Sequence, residues 1–345
     1  AEAHNNLGIT LKELDQLDTA IKCFEKAIAI KPDYAEAYNN LGNALQDLDQ
    51  LDEAVKSFEK ALAINPNFAE AHNNLGITLK ELDQLDAAVK SYEKAIAIKP
   101  DFAEAHNNLG NAFKDLDQLD AAVKNYEKTL TIKPDYAEVY NNLGFTLREL
   151  GQIDDAIKCY KKTLTINPDY AEAHNNLGLT LMELDQLDEA VKCFDKALII
   201  NPDFVEAYSN RARLMAGLKR LDEALANYER AFSINPDLNF LLGNLIHTKM
   251  HLCIWDELSN DLNELTKKIN NNEKVINPFP LLALIDDPEL QRKTAEIYVN
   301  DAFPKNHDLP EIGLYPKHKK IRIGYFSADF REHPVSTLTA ELYEV

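Results

Sequence analysis

The sequence predicts an all-α solenoid of seven stacked helix-turn-helix units, each of 34 residues, over residues 1–238. A helical linker over 239–319 and the truncated start of an α/β domain over 320–345 follow it. Three observations carry this expectation. The segment AEAHNNLGITLKELDQLDTAIKCFEKAIAIKPDY recurs from Ala1, with copies starting at Ala35, Ala69, Ala103, Ala137, Ala171 and Val205. Self-similarity at a fixed period of roughly 20–50 residues marks a stacked array. Each copy keeps one small, aromatic and proline frame, and beyond Leu238 that frame stops.

Each element of the frame has a mechanical reason. The eighth place is glycine from Gly8 to Gly178 and Ala212 in the last unit, and the twentieth is always alanine, from Ala20 to Ala224. Small residues there let the two helices of a unit approach closely. The twenty-fourth place is aromatic (Phe24, Phe58, Tyr92, Tyr126, Tyr160, Phe194, Tyr228) and is expected to fill the space between neighbouring units. The thirty-second is proline, from Pro32 to Pro236, which cannot donate the next helical hydrogen bond and so ends the second helix. Asp33 is expected to cap the next helix, with Glu36 three residues on reaching back to the cap. That spacing recurs at Asn67/Glu70, Asp101/Glu104, Asp135/Glu138, Asp169/Glu172 and Asp203/Glu206, and fails after Asp237.

Composition narrows the function. Apolar residues make up 45% and charged residues 27% of the chain, as in a folded protein, and no apolar run approaches the ~18 residues of a spanning helix. The net charge is −20, and residues 1–238 carry 41 acidic against 25 basic side chains. An acidic surface repels phosphate backbones and anionic lipid, so neither nucleic acid nor membrane is expected as a partner. Four cysteines make no disulfide framework. The chain begins at Ala1 with no leader pattern, and a cytoplasmic location is the expectation, an upstream targeting signal remaining open.

The repeat resembles the tetratricopeptide repeat family, whose signature these residues match unit by unit. The resemblance implies a right-handed superhelical solenoid with first helices lining the concave face. Asparagine fills the sixth place of every unit: Asn6, Asn40, Asn74, Asn108, Asn142, Asn176 and Asn210. Mid-helix asparagine is not what stacking asks for. An amide is both donor and acceptor, so a spaced row can clamp an extended peptide backbone. The alternative is that these amides bond between units. The NNLG runs resemble the asparagine row of the O-linked N-acetylglucosamine transferases, which binds acceptor protein. Variable ninth and twelfth places, such as Ile9, Asn111, Arg213 and Met182, suit partner choice or drift equally. A basic fifth-place clamp for a terminal carboxylate is absent, since that place is asparagine or Ser209. The second-place glutamates are assigned to capping. The fourth-place histidines (His4, His72, His106, His174) alternate with tyrosine and are expected to be packing rings. Cys23, Cys159 and Cys193 alternate with serine and asparagine and are expected to be surface thiols. The first unit has no polar capping face, so it is expected either to associate with another chain (self-association) or to be preceded by further repeats.

Beyond Leu238 a helical stretch runs through His251, an amphipathic helix is expected near 255–270 and another helix near 288–302. His247 and His251 lack the glutamate of a zinc-protease motif. IRIGYFS reads as a buried strand, SADFREHP as a turn and VSTLTAELYEV as a helix start, with no G-x-G-x-x-G fingerprint. Together with the C-x-W helix and the PFPLLAL…DDPELQ stretch, this run resembles the approach to the catalytic region of the O-linked N-acetylglucosamine and SPINDLY-related glycosyltransferases. The resemblance implies a nucleotide-sugar donor, UDP-N-acetylglucosamine or GDP-fucose, and transfer to serine or threonine. It places His333 beside sugar and acceptor, while the family's second histidine is Thr337 here. Donor contacts lie in a second Rossmann-like domain, so these 345 residues are expected to hold no cofactor and to be inactive alone. Two functions follow. One is a solenoid recruiting extended Ser/Thr-containing segments to a protein O-glycosyltransferase; the other is a non-enzymatic scaffold for extended peptides.

Overall fold

The computed structural model describes residues 1–302, and 303–345 lie outside the described residues. Among the described residues there are eighteen helices and no strand. The first helices of the seven units are α1 (Glu2–Glu13), α3 (Ala35–Asp47), α5 (Ala69–Glu81), α7 (Ala103–Asp115), α9 (Ala137–Glu149), α11 (Ala171–Glu183) and α13 (Val205–Gly217). The second helices are α2 (Leu17–Ile30), α4 (Leu51–Ile64), α6 (Leu85–Ile98), α8 (Leu119–Ile132), α10 (Ile153–Ile166), α12 (Leu187–Ile200) and α14 (Leu221–Ile234). Each second helix packs on its own first helix and on that of the next unit. After the array come α15 (Leu241–His251), α16 (Leu258–Asn270), α17 (Pro278–Leu282) and α18 (Pro288–Ala302).

The frame residues explain why the units close. The aromatic rings from Phe24 to Phe194 are fully buried, and Tyr228 is 3% exposed. A Cβ on Gly8 would lie 2.6 Å from the Phe24 ring, and one on Gly76 2.6 Å from Tyr92. Glycine therefore seats the ring of its own unit, and Phe24 then reaches Ala44 of the next.

The turn inside each unit rests on a residue that composition did not single out. The fifteenth place is left-handed throughout, with φ between 58° and 62° at Asp15, Asp49, Asp83, Asp117, Asp185 and Lys219, and 73° at Gly151. It lets the Gln16 N–H reach the Leu11 carbonyl at 2.9 Å and the Asp15 N–H the Lys12 carbonyl at 3.0 Å. Two orphaned helix-end carbonyls are thereby satisfied. A Cβ on Gly151 would meet nothing within 4 Å, so the backbone alone penalises a substitution there. Gly151→Val should lose about 1–2 kcal/mol in urea unfolding. Gly151→Asp, matching five other units, should lose clearly less.

The turn between units corrects the capping expectation. From α3 to α13 the residue before the first helix is the aromatic of the thirty-fourth place, as at Tyr34 and Phe68, and makes no side-chain cap bond. Asp33 sits one residue too early for its carboxylate to cap, and Glu36 lies in the first helical turn, where it suits the helix dipole. The same correction holds for Asn67/Glu70, Asp101/Glu104, Asp135/Glu138, Asp169/Glu172 and Asp203/Glu206, whose helices begin one residue after Phe68, Phe102, Tyr136, Tyr170 and Phe204. The thirty-first place closes this loop in two ways. Asn65, Asn167, Asn201 and Asn235 accept a backbone N–H two residues on. Lys31, Lys99 and Lys133 instead lay their ammonium over the ring of Tyr34, Phe102 and Tyr136, 4.3–4.8 Å from its centroid.

The stack continues past Leu238. Leu241 and Leu245 of α15 join Met215, Ala224, Tyr228 and Ala231 of the seventh unit in one core. Leu242 and Ile246 turn to a second core with Leu265, Ile269, Ile276 and Leu281. Gly243 permits this, since a Cβ there would lie 2.5 Å from Ile276.

Candidate peptide-binding face

The sixth-place asparagines fall on successive first helices and bond unit to unit. The Nδ2 of Asn40 donates to the Oδ1 of Asn5 at 3.0 Å, Asn74 to Asn39 at 3.1 Å and Asn108 to Asn73 at 3.0 Å. Asn176 donates to Asn141 at 3.1 Å and Asn210 to Asn175 at 3.0 Å. Asn142 departs from the rule by donating to Asn111 at 3.4 Å, which leaves the buried Asn107 Oδ1 without a partner. Asn6 is exposed. The fifth-place acceptors Asn5, Asn39, Asn73, Asn141 and Asn175 are buried. Each rung thus consumes one N–H and fixes the amide plane, leaving the other N–H and the carbonyl oxygen.

Other groups share this face. A cavity of about 230 Å³ between the third and fourth units is lined by Ile77, Lys80, Tyr92, Asn108 and Asn111. Beside the rungs, Lys12 pairs with Asp47 at 2.8 Å, Lys80 with Asp115 at 2.9 Å and Arg148 with Glu183 at 3.7 Å, while Gln46 bonds Glu81 at 2.9 Å. These pairs are part-exposed and add register more than stability. Of the second-place glutamates, Glu70 pairs with Lys99 of its own unit and Glu172 accepts from Asn141 of the unit before.

One rung escaped sequence reasoning. Asn244 follows Asn210 by one further period and lies in α15. Thr248 donates to the Asn244 carbonyl at 2.8 Å, as Thr180 does to Asn176 and Thr146 to Asn142. The helix thus takes the place of an eighth first helix. Its signal was the bare 34-residue spacing of asparagine and threonine, hidden because Ile246 stands where glycine seats the aromatic.

The remaining sites behave as structure. The Nε2 of His72, His106 and His174 lies 3.0–3.1 Å from the carbonyl of Pro66, Pro100 and Pro168. A carbonyl only accepts, so Nε2 carries the proton and each ring ties two units together. Burial lowers the pKa of His72 and of His174 from the ordinary 6.5, with Lys94 and Lys196 adding to it. Their neutral forms therefore contribute stability above pH 6.5 that is lost as pH falls through the lowered values. Replacing both with tyrosine, the residue at Tyr38, should flatten the fall in melting midpoint between about pH 7 and 5. An unchanged slope would count against it.

Cys23 corrects the surface-thiol expectation, being 6% exposed. Cys159 and Cys193 pack against the core, and burial pushes both thiols up to about 11, far from nucleophilic. The His247 and His251 rings stack edge to face at 4.5 Å. Among the described residues no cluster of three or more histidine, cysteine or carboxylate side chains is placed to hold a metal, and no helix is long and apolar enough to cross a membrane. His333, Thr337 and the expected strand and helix of 320–345 lie outside the described residues.

Family profiles described as tetratricopeptide repeat match residues 1–67, 57–90, 171–204 and 205–238. A further TPR repeat profile matches 78–117, 110–147 and 146–185, so the matches run unbroken to Leu238. The chain belongs to the tetratricopeptide repeat proteins. Two solved structures share the fold. The Cut9–Hcn1 hetero-tetramer of APC/C matches over 70% of this chain and 48% of its own at 16% identity and a TM-score of 0.59. Pseudomonas aeruginosa pilF matches over 59% and 92% at 20% identity and a TM-score of 0.53. YrrB, described as a TPR protein with an unusual peptide-binding site, matches over 53% and 95% at 25% identity and a TM-score of 0.47. No curated protein matches the chain.

Proposed function

We propose that the tetratricopeptide array is a protein-binding scaffold that holds extended polypeptide segments along its first helices. The observation that carries this reading is the row of amides from Asn40 to Asn210, each oriented by a bond to the unit before yet retaining bonding capacity. A strand presents a backbone donor or acceptor about every 3.3 Å, so one amide per unit serves a segment every few residues. The test is replacement of Asn74, Asn108, Asn142 and Asn176 together with alanine, read by anisotropy of a labelled unstructured Ser/Thr-rich peptide. Loss of binding supports the reading, and unchanged affinity in a folded chain overturns it.

The finer proposal is that such segments are acceptors for a nucleotide-sugar-dependent protein O-glycosyltransferase. It rests on the sequence run from Cys253 and Trp255 through Pro278–Leu282 to His333. Here His333 serves beside a UDP-N-acetylglucosamine or GDP-fucose donor supplied outside the array. Proteins recovered on the array should then carry O-linked sugar on serine or threonine in mass spectrometry, and unmodified partners would leave the scaffold reading.

A further inference from the structure

Where the seventh unit meets α15, the amide row ends in a cavity of about 330 Å³. Its lining includes Asn210, Arg213, Asn244 and Asn277, with Glu206 and Tyr228. Arg213 stands at the ninth place, which in other units is apolar or asparagine: Ile9, Asn43, Ile77, Asn111, Phe145 and Leu179.

Its electrostatic state is unusual for this chain. Six arginines are described, and five have a carboxylate within 4 Å: Arg148 with Glu183, Arg211 with Asp195, Arg220 with Glu223, Arg230 with Asp203 and Arg292 with Glu296. Arg213 instead donates to the amide oxygen of Asn210, at 3.4 Å. In a chain of net charge −20, a guanidinium left without a counter-ion is conspicuous. The neighbouring rung is also incomplete. Ser209 replaces the asparagine that would accept from Asn244, so the Asn244 amide is not spent on its neighbour as the earlier rungs are. A guanidinium offers five fixed N–H donors, and amides add more, a donor set that suits a planar carboxylate.

We propose that this cavity is a carboxylate subsite, in which Arg213, aided by Asn244 and Asn277, takes the terminal carboxylate or an acidic side chain of a segment lying on the amide row. The proposal rests on the peptide-binding reading and adds a charge preference and a direction to it. The arginine pins one end of the segment, and the rungs from Asn210 back toward Asn40 hold the rest. Arg213 is exposed and belongs to no core cluster, so its replacement leaves the fold intact.

The experiment uses the full chain and Arg213→Gln with a labelled Ser/Thr-rich decapeptide in three forms. One has a free C-terminal carboxylate, one a C-terminal amide, and one the amide plus a single internal aspartate. The wild-type chain should prefer the free carboxylate over the amide about tenfold, as a charge-assisted bond implies, and 0.5 M salt should erode the preference. Arg213→Gln should bind all three forms alike, with unchanged helicity. If the aspartate form recovers the preference, the subsite reads side chains; if it does not, it reads chain ends. A preference retained in Arg213→Gln, or equal binding of all forms by the wild type, overturns the subsite while the scaffold stands. Failure of every form to bind overturns the scaffold itself.

Discussion

Valine at Gly76 lowers the stability of the array by about 3 kcal/mol, the upper range for overpacking a well-filled core. The added Cβ alone would stand 2.6–2.9 Å from three atoms of the Tyr92 ring. That ring is fully buried, so it has nowhere to retreat. Helix propensity runs the other way, since valine outranks glycine, but by well under ~1 kcal/mol. Alanine should cost less, because the seventh unit already sets Ala212 against Tyr228. The check is a double-mutant cycle with Tyr92→Leu followed by urea unfolding. Leucine vacates the ring position, so the double variant should be more stable than the two single losses summed by at least about 1 kcal/mol. Simple additivity would show that the glycine is not there for the ring.

Replacing Asn74, Asn108, Asn142 and Asn176 with alanine should abolish peptide binding and also destabilise the array. Three of the lost donors serve buried oxygens, on Asn39, Asn73 and Asn141. Each orphaned acceptor costs about 1–3 kcal/mol, so the total is several kcal/mol. Two effects from one substitution would be uninformative without a way to part them. The asymmetry of hydrogen bonding supplies one: removing both partners of a buried bond is far milder than removing one. Adding Asn39→Leu, Asn73→Leu and Asn141→Leu to the quadruple variant should therefore recover much of the melting midpoint and none of the peptide affinity. Recovery of both would mean that the amides only join units. Recovery of neither would mean that the fifth-place asparagines have a role beyond accepting these bonds.

The array was legible in the sequence because its determinants are local and repeated. Glycine, alanine, the aromatic and proline recur at fixed places, and each fits its neighbour in the same or the next unit. The turn was harder to read. Aspartate at the thirty-third and fifteenth places looks alike in composition, yet the left-handed Asp15 closes a turn whereas Asp33 caps nothing. Only backbone geometry separates the two. The burial of Cys23 was missed because interchange with serine suggests exposure, whereas Ser57 and Ser91 at that place are buried as well. The bonds between units were one of two readings open for the amide row from the start, since an amide's capacity for several bonds fits both a lattice and a ligand. The rung at Asn244 was missed because a search for the whole frame overlooks a helix that keeps two of its letters.

The rungs also make length an independent variable. Phe68 is followed by Ala69, and Phe102 by Ala103, so excising residues 69–102 as a block rejoins the chain at a junction it already contains. Asn108 would then face Asn39, as Asn74 now does. The rung and the turn at the new junction both have a precedent in the native chain, and one unit of length is lost. Under the proposed scaffold reading, gain or loss of whole units would therefore change the length of segment held, while the chemistry of each remaining rung stays the same.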